Sequence, residues 1–344
     1  MQSNRRCPST APRQQGVKTV SELLQVSNLD VRFDTARGLL HAVKDVSFNL
    51  EPGESLGIVG ESGSGKTVLS RATMGLLTMS TAKKSGSVVL NGVELTKLSR
   101  SELRSKWGTE MAIVFQDPMT ALNPVRRIGD QIAEGPRVRL GMSKKDAKKR
   151  AIELLKMVQI AEPEKVLKKF PLQLSGGMRQ RVMIAIAIAC NPKILFADEP
   201  TTALDVTVQA QILGLISSLR KQLNMSLILV THDLGVVAGH TDKIAVMYAG
   251  EIVEMAPTKE LFSNVRMPYT EALLNSIPRI TNQSGIRLPV IEGRLPDPTL
   301  PQNGCGFSAR CKYATEKCHT ERPQLVDGGN GHMYRCFFPL GVNK

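Results

Sequence analysis

Residues 56–67 read LGIVGESGSGKT: an apolar run of strand length, a glycine-rich turn, and a Lys-Thr pair where a helix can begin. The last eight, GESGSGKT at 60–67, have the spacing G-x-x-x-x-G-K-S/T in the strand–turn–helix setting that this motif requires. Glycine permits the close approach and unusual dihedrals by which the backbone N–H groups of 60–67 can wrap a polyphosphate. The helix N-terminus adds partial positive charge. Gly60, Ser62, Gly63, Ser64 and Gly65 are therefore expected to form a phosphate cradle. Lys66 is expected on the β- and γ-phosphates and the Thr67 hydroxyl on Mg²⁺.

Working outward, apolar runs recur at 111–116 (MAIVFQ), 194–198 (ILFAD) and 226–232 (SLILVTH), with helical stretches between several of them. That alternation predicts an α/β fold with a buried, mostly parallel sheet. Residues 23–50 and 86–95 read instead as short strands, with Asn91-Gly92 as a two-residue hairpin turn. A helix-rich insertion lies between 117 and 185. Its clearest helix, 143–160, opens on Ser143 and Asp146 as a capping box and lines Ala147, Ala151, Leu155 and Val158 on one face. After about 256 the texture changes, with seven prolines between 257 and 301 and few periodic runs.

The 344 residues carry a net charge of +14. The first 21, read as a flexible basic tail, supply +4, and residues 126–169 hold 13 Lys or Arg against 6 Asp or Glu. Without interleaved aromatics for base stacking, the basic stretch does not suggest nucleic acid. A solvated helix face, or attraction to an anionic membrane leaflet, accounts for it. No apolar run approaches the 18 residues of a bilayer span, and no apolar core follows the basic N-terminus as in a secretory signal.

Two further motifs bear on chemistry. ILFADEP (194–200) is a strand ending in two acids: Asp198 is the expected Mg²⁺ partner, and Glu199 is placed to orient or deprotonate an attacking water. LQLSGGMRQR (172–181) puts Ser175, Gly176 and Gly177 at the start of an Ala/Ile-rich helix, a second helix-N-terminal anion site. One nucleotide needs one cradle. The second is best used on a nucleotide held by another subunit, which predicts a dimer with shared sites.

This ordered set resembles the nucleotide-binding subunits of ABC transporters over residues 23–255. Gln116 at the end of MAIVFQ, TALD at 202–205 and LVTHD at 229–233 complete it. The resemblance implies a P-loop NTPase cassette with a RecA-like core, an antiparallel β subdomain and a helical subdomain, here at 22–255. It implies that Gln116 links the Mg²⁺ and water site to membrane subunits, that Ser175–Gly177 are the signature motif, and that Asp205 lies in the D-loop of the dimer interface. It also places His232 on the γ-phosphate and Phe33 on the adenine. Met178 departs from the pattern, in which many members have Gln. FQDPMTALNP (115–124), RMPYTEALLNSIP (266–278) and IEGRLPDPTLPQNGCGFSARC (291–311) narrow the resemblance to dipeptide/oligopeptide importer ATPases, whose relatives handle nickel or glutathione. The implied partners are a second ATPase, expected to be a paralogue, two transmembrane permease subunits and a substrate-binding protein. The implied location is peripheral, on the cytoplasmic face of the inner membrane. A soluble ABC ATPase of DNA repair fits less well, because only 109 residues separate Lys66 from Ser175, too few for a long coiled coil. Translation-type members usually carry two cassettes on one chain. A P-loop kinase explains neither the Ser-Gly-Gly helix nor His232.

The extension at 256–344 holds four of the six cysteines: Cys305, Cys311, Cys318 and Cys336. Disulfides do not suit an ATP-using chain in a reducing compartment. The intervals lack the tight C-x₂₋₄-C pair usual for zinc, whereas four thiolates at wider intervals suit a 4Fe–4S cluster. A metal staple would also help a short, Pro- and Gly-rich segment to fold. The expectation is thus a small C-terminal domain around a 4Fe–4S cluster, with zinc or unligated thiols as alternatives. Cys7, in the tail, and Cys190, at a helix end, are expected to stay out of it.

Overall fold

The computed structural model describes residues 22–77, 82–202, 204–277 and 291–341; the N-terminal tail with Cys7 lies outside the described residues. Two sheets organise them. The smaller is formed by β1 (Leu24–Thr35), β2 (Gly38–Leu50), β4 (Ala82–Leu90) and β5 (Val93–Glu94), in the order β2-β1-β4-β5 and antiparallel throughout. Asn91 and Gly92 both have positive φ, 51° and 78°, as the two-residue turn between β4 and β5 requires.

The larger sheet contains β3 (Ser55–Val59), β6 (Met111–Val114), β7 (Ile194–Asp198), β8 (Ser226–Thr231), β9 (Lys243–Tyr248), β10 (Glu251–Pro257), β11 (Val326–Asp327) and β12 (Met333–Tyr334). Its order is β11-β12-β10-β9-β3-β8-β7-β6. The five strands β9, β3, β8, β7 and β6 are parallel, and β10 returns antiparallel beside β9. Alternate residues of one strand serve two different cores. On β7, Leu195 and Ala197 face the helical side, while Ile194 and Phe196 face the antiparallel sheet. Burial on both faces is why these strands read as unbroken apolar runs.

The insertion packs as helices Ile128–Arg139, Lys144–Met157 and Gly176–Ala187. Ser143 caps the second of these, its hydroxyl accepting from the Asp146 N–H at 3.1 Å, and Ala147, Ala151, Leu154 and Leu155 are buried along it. The C-terminal extension is not set apart from this body. Strand β12 pairs with β10 and lengthens the main sheet, the Arg335 N–H donates to the Val253 carbonyl at 2.8 Å, and Phe307 is buried in the helical-side core. A freestanding cysteine domain is therefore not what the sequence builds: a segment poor in apolar residues gains its core by leaning on the cassette.

Candidate functional site

The strand order brings the predicted chemistry to one edge. Strands β6, β7, β8 and β3 are successive neighbours and parallel, so their carboxyl ends open on the same crevice, where α/β sheets bind ligands. The phosphate loop follows β3, Gln116 follows β6, Asp198 and Glu199 end β7, and His232 follows β8.

The loop leads into the helix Lys66–Thr73 through Gly65 at φ 100°. Side chains are excluded at two of its positions. A Cβ on Gly60 would come within 2.2 Å of the Met247 carbonyl oxygen, and one on Gly65 within 2.4 Å of the Ala42 carbonyl oxygen. Lys66 is 4% exposed and donates to the carbonyls of Gly60 at 2.7 Å and Glu61 at 2.9 Å. Burial pulls its ammonium below the ordinary lysine range, opposed by the carboxylates of Glu199, Asp198 and Glu61. Ser64 is fully buried, and its hydroxyl has no partner.

Thr67 donates to Asp198 Oδ1 at 2.9 Å, while Asp198 Oδ2 is buried without a hydrogen bond. Burial pushes the Asp198 carboxyl up, against the Thr67 hydrogen bond and the Arg71 charge. A hydroxyl beside an orphaned buried carboxylate oxygen is a donor set that fits Mg²⁺. Next to it, Glu199 stands at φ 46°, a strained left-handed conformation for a side chain of its size. Its Oε2 accepts from Gln116 Nε2 at 3.1 Å and Thr202 Oγ1 at 2.9 Å, and lies 3.5 Å from His232 Nδ1. Gln116, Thr202 and His232 thus converge on one carboxylate oxygen of Glu199.

Ser62, Gly63, Gly65, Lys66 and Thr67 line an open cleft of about 1180 Å³ together with Gln116 and Glu199. Three other predicted groups are placed elsewhere. Ser175, exposed, caps the helix Gly176–Ala187 by accepting from Met178 N–H at 3.3 Å, and with Gly176 and Gly177 it is absent from the lining of this chain's own cleft. Asp205 caps the helix Val206–Leu223. That helix packs close to the signature residues: a Cβ on Gly177 would meet Val208 at 3.1 Å. Phe33 sits half-buried against the core of the antiparallel sheet and does not line the cleft.

The sequence reading missed one wall of the cleft. Residues 294–299 of the extension border it beside the phosphate loop, where a Cβ on Gly63 would meet Leu295 at 3.5 Å, and the Pro298 carbonyl accepts from the His41 N–H at 3.1 Å. The clustering of prolines at 296 and 298 was the available signal, a stiff strap rather than a slack linker.

The four C-terminal cysteines also converge. Cys305, Cys311, Cys318 and Cys336 line one small cavity of about 20 Å³ with Phe307, Met267 and Phe338. Burial raises the thiols of Cys305, Cys311 and Cys336, the last to about 11. Yet among the described residues no group of three or more His, Cys, Asp or Glu is arranged to hold a metal ion. The thiols gather, but the expected 4Fe–4S or zinc ligation finds no support in their arrangement. Cys190 is buried elsewhere, at a helix end.

Comparison with known proteins places the chain in a family. Residues 43–202 match the ABC transporter family, and residues 253–318 match the oligopeptide/dipeptide transporter C-terminal region. The chain is 46% identical to the oligopeptide transport ATP-binding protein AppD of Bacillus subtilis, over 92% of its own length and 97% of that protein's. It is likewise 46% identical to the dipeptide transport ATP-binding protein DppD of Escherichia coli, with the same coverage. Among solved structures it resembles the dimeric post-hydrolysis state of the ATP-binding cassette MJ0796 bound to ADP and Pi, with a TM-score of 0.62 and 29% identity over 68% of this chain and 98% of that one. The chain is an ABC ATPase, and it belongs to the ATP-binding proteins of the oligopeptide/dipeptide branch of the ABC transporter family.

Proposed function

We propose that this chain hydrolyses ATP to drive uptake of di- and oligopeptides through separate permease subunits, on the cytoplasmic face of the inner membrane. The observation that carries the reading is the split between the two halves of the site. Phosphate loop, Gln116 and Glu199 line one cleft, with Asp198 hydrogen-bonded to Thr67 and His232 3.5 Å from Glu199, while Ser175–Gly177, at the start of another helix, do not line it. A second ATPase, a paralogue in this reading, supplies its own signature motif to this cleft and receives this chain's in return.

In the shared site Lys66 leaves the carbonyls of Gly60 and Glu61 for the phosphates, and the N–H groups of 62–67 hold the polyphosphate. Thr67 and Asp198 would hold Mg²⁺, which neutralises phosphate charge when bound. Glu199, fixed by Gln116 and Thr202, orients the attacking water and takes its proton, while His232 stands beside the same carboxylate on the γ-phosphate side. Because Gln116 touches the Glu199 carboxylate and begins the helical insertion, movement of that insertion reports the state of the water site to the permeases. On that insertion, exposed Met119 and Leu172 offer apolar surface for docking. No helix among the described residues is long and apolar enough to cross a membrane, so other chains supply the passage. A binding protein delivers the substrate in this scheme.

In this reading the four cysteines would hold a 4Fe–4S cluster. Four thiols gathered around one cavity, Cys318 buried and the other three partly buried, would supply the ligands of such a cluster. The cluster's work there is structural.

Co-purification from membranes followed by reconstitution tests the transport assignment. Two permeases and a second ATPase should accompany this chain, and peptide should enter vesicles only with ATP. Complexes that take up nickel or glutathione but no peptide would reassign the substrate, and a chain recovered without permeases would refute the transport role.

A further inference from the structure

Glu61, the second residue of the phosphate loop, is held at three points, two of them from beyond the loop. Its N–H donates to the Tyr269 hydroxyl at 3.0 Å, and its carbonyl accepts from Lys66 Nζ at 2.9 Å. Its Oε2 accepts from Arg310 Nη1 at 3.0 Å, across 249 residues. The Arg310 side chain is only 5% exposed. Three of its other donors go to the carbonyls of Glu292 at 2.8 Å and Ile291 at 3.1 Å and to the Tyr248 hydroxyl at 3.3 Å. The guanidinium is a fork fixed by Ile291, Glu292 and Tyr248, with one tine aimed at the phosphate loop.

The position of Arg310 ties this contact to the cysteines. It directly precedes Cys311, and Phe307, between Cys305 and Cys311, lines the cysteine cavity and packs its ring 5.3 Å from Tyr248 and 5.2 Å from Tyr269. A continuous packed path therefore runs from the cysteine cavity to Glu61.

Charge says what the contact does. A free carboxylate at position 61 would repel a triphosphate and attract Lys66, the residue that must reach the phosphates. Glu61 does not line the nucleotide cleft, although its neighbours Ser62 and Gly63 do. We propose that Arg310 is a positioning residue for ATP binding: it holds the Glu61 carboxylate out of the cradle and neutralises it, so that the cysteine-bearing segment sets the affinity of this chain for ATP. The inference rests on ATP binding at residues 60–67 and is independent of what the cysteines hold.

The test is a double-mutant cycle on the full-length chain, with ATP and ADP affinities from calorimetry and KM and kcat from the assembled complex. Arg310→Gln should raise the Kd for ATP about tenfold and for ADP about threefold, because the extra phosphate meets more of the released charge. In turnover the loss should fall on KM more than on kcat. Adding Glu61→Gln should return the ATP Kd to within about twofold of the unsubstituted chain, because the offending charge is gone. An unchanged Kd in Arg310→Gln overturns the proposal. So does a double variant as weak as the single one, since Arg310 would then act only by holding the extension together. If Arg310→Gln does not fold, Arg310→Lys replaces it: the fork is lost, and the ATP Kd must rise about threefold and be restored by Glu61→Gln. No change in that variant counts equally against the proposal.

Discussion

Thr67 and Asp198, 131 residues apart, meet through a 2.9 Å hydrogen bond that joins the first turn of the phosphate-loop helix to the end of β7. The partner oxygen of that carboxylate is buried with no hydrogen bond, Arg71 Nη2 standing 3.9 Å from it. Leaving it so costs on the order of 1–3 kcal/mol, which a bound cation recovers. Asp198→Asn is expected to lower kcat roughly 10²-fold and to weaken the Mg²⁺ dependence of nucleotide binding, with metal-free ATP affinity changed about twofold or less. Mg²⁺ titrations of ATP binding and turnover check it. A variant with the same Mg²⁺ requirement and normal kcat would remove Asp198 from the metal site.

The exposed start of the Gly176–Ala187 helix makes a different prediction. Ser175→Arg removes a cap worth about 1 kcal/mol and puts a long side chain where the partner's nucleotide must approach. Hydrolysis by the assembled complex should fall by roughly 10²-fold, on the scale of losing a phosphate-binding group. ATP binding at this chain's own loop should stay within about twofold, since Ser175 does not line that cleft. Full hydrolysis by an isolated monomer would contradict shared sites, as would loss of binding at this chain's own loop in the variant.

Much of this was readable because it is local. GESGSGKT, ILFADEP and the Asn91-Gly92 turn each fit within a few residues, and the Ser143 cap lies three residues from its partner. The convergence of Gln116, Glu199 and His232 was legible only through the family pattern. No spacing in the chain says that β6, β7 and β8 are neighbours. Contacts of very long range between ordinary residues were not legible at all. Arg310 reaches Glu61 across 249 positions, and β12 adds to β10 although its two residues are too few for a strand pattern. The cysteines were noticed for their type, but that they lean on the cassette core through Phe307 depends on packing that composition does not encode.

For the cysteines, anaerobic purification should yield a brown chain with broad absorbance at about 400 nm and about four irons, the 4Fe–4S stoichiometry. Cys336→Ser should lose the colour and much of the iron, and it should loosen the packing of Phe307 below the cavity, seen as a lower melting temperature. One zinc per colourless chain would replace the cluster with a zinc site. Absence of any metal, with full stability, would leave the thiols as unligated core residues.

Phe307 offers a separate stability check. It is 3% exposed and touches Tyr248 and Tyr269 edge-on or tilted. Phe307→Ala should destabilise the chain by about 3–5 kcal/mol, the usual cost of an aromatic-sized cavity. Denaturant unfolding measures it. A loss below about 1 kcal/mol would mean that the extension does not share the cassette's core.

The most direct measurement is ATP binding and hydrolysis by Glu199→Gln in the reconstituted complex. The account predicts unimpaired ATP affinity, turnover lowered on the order of 10²-fold or more, and peptide uptake lost in proportion, because the carboxylate held by Gln116 and Thr202 is the base for the attacking water. Hydrolysis and uptake at the normal rate in that variant would contradict it.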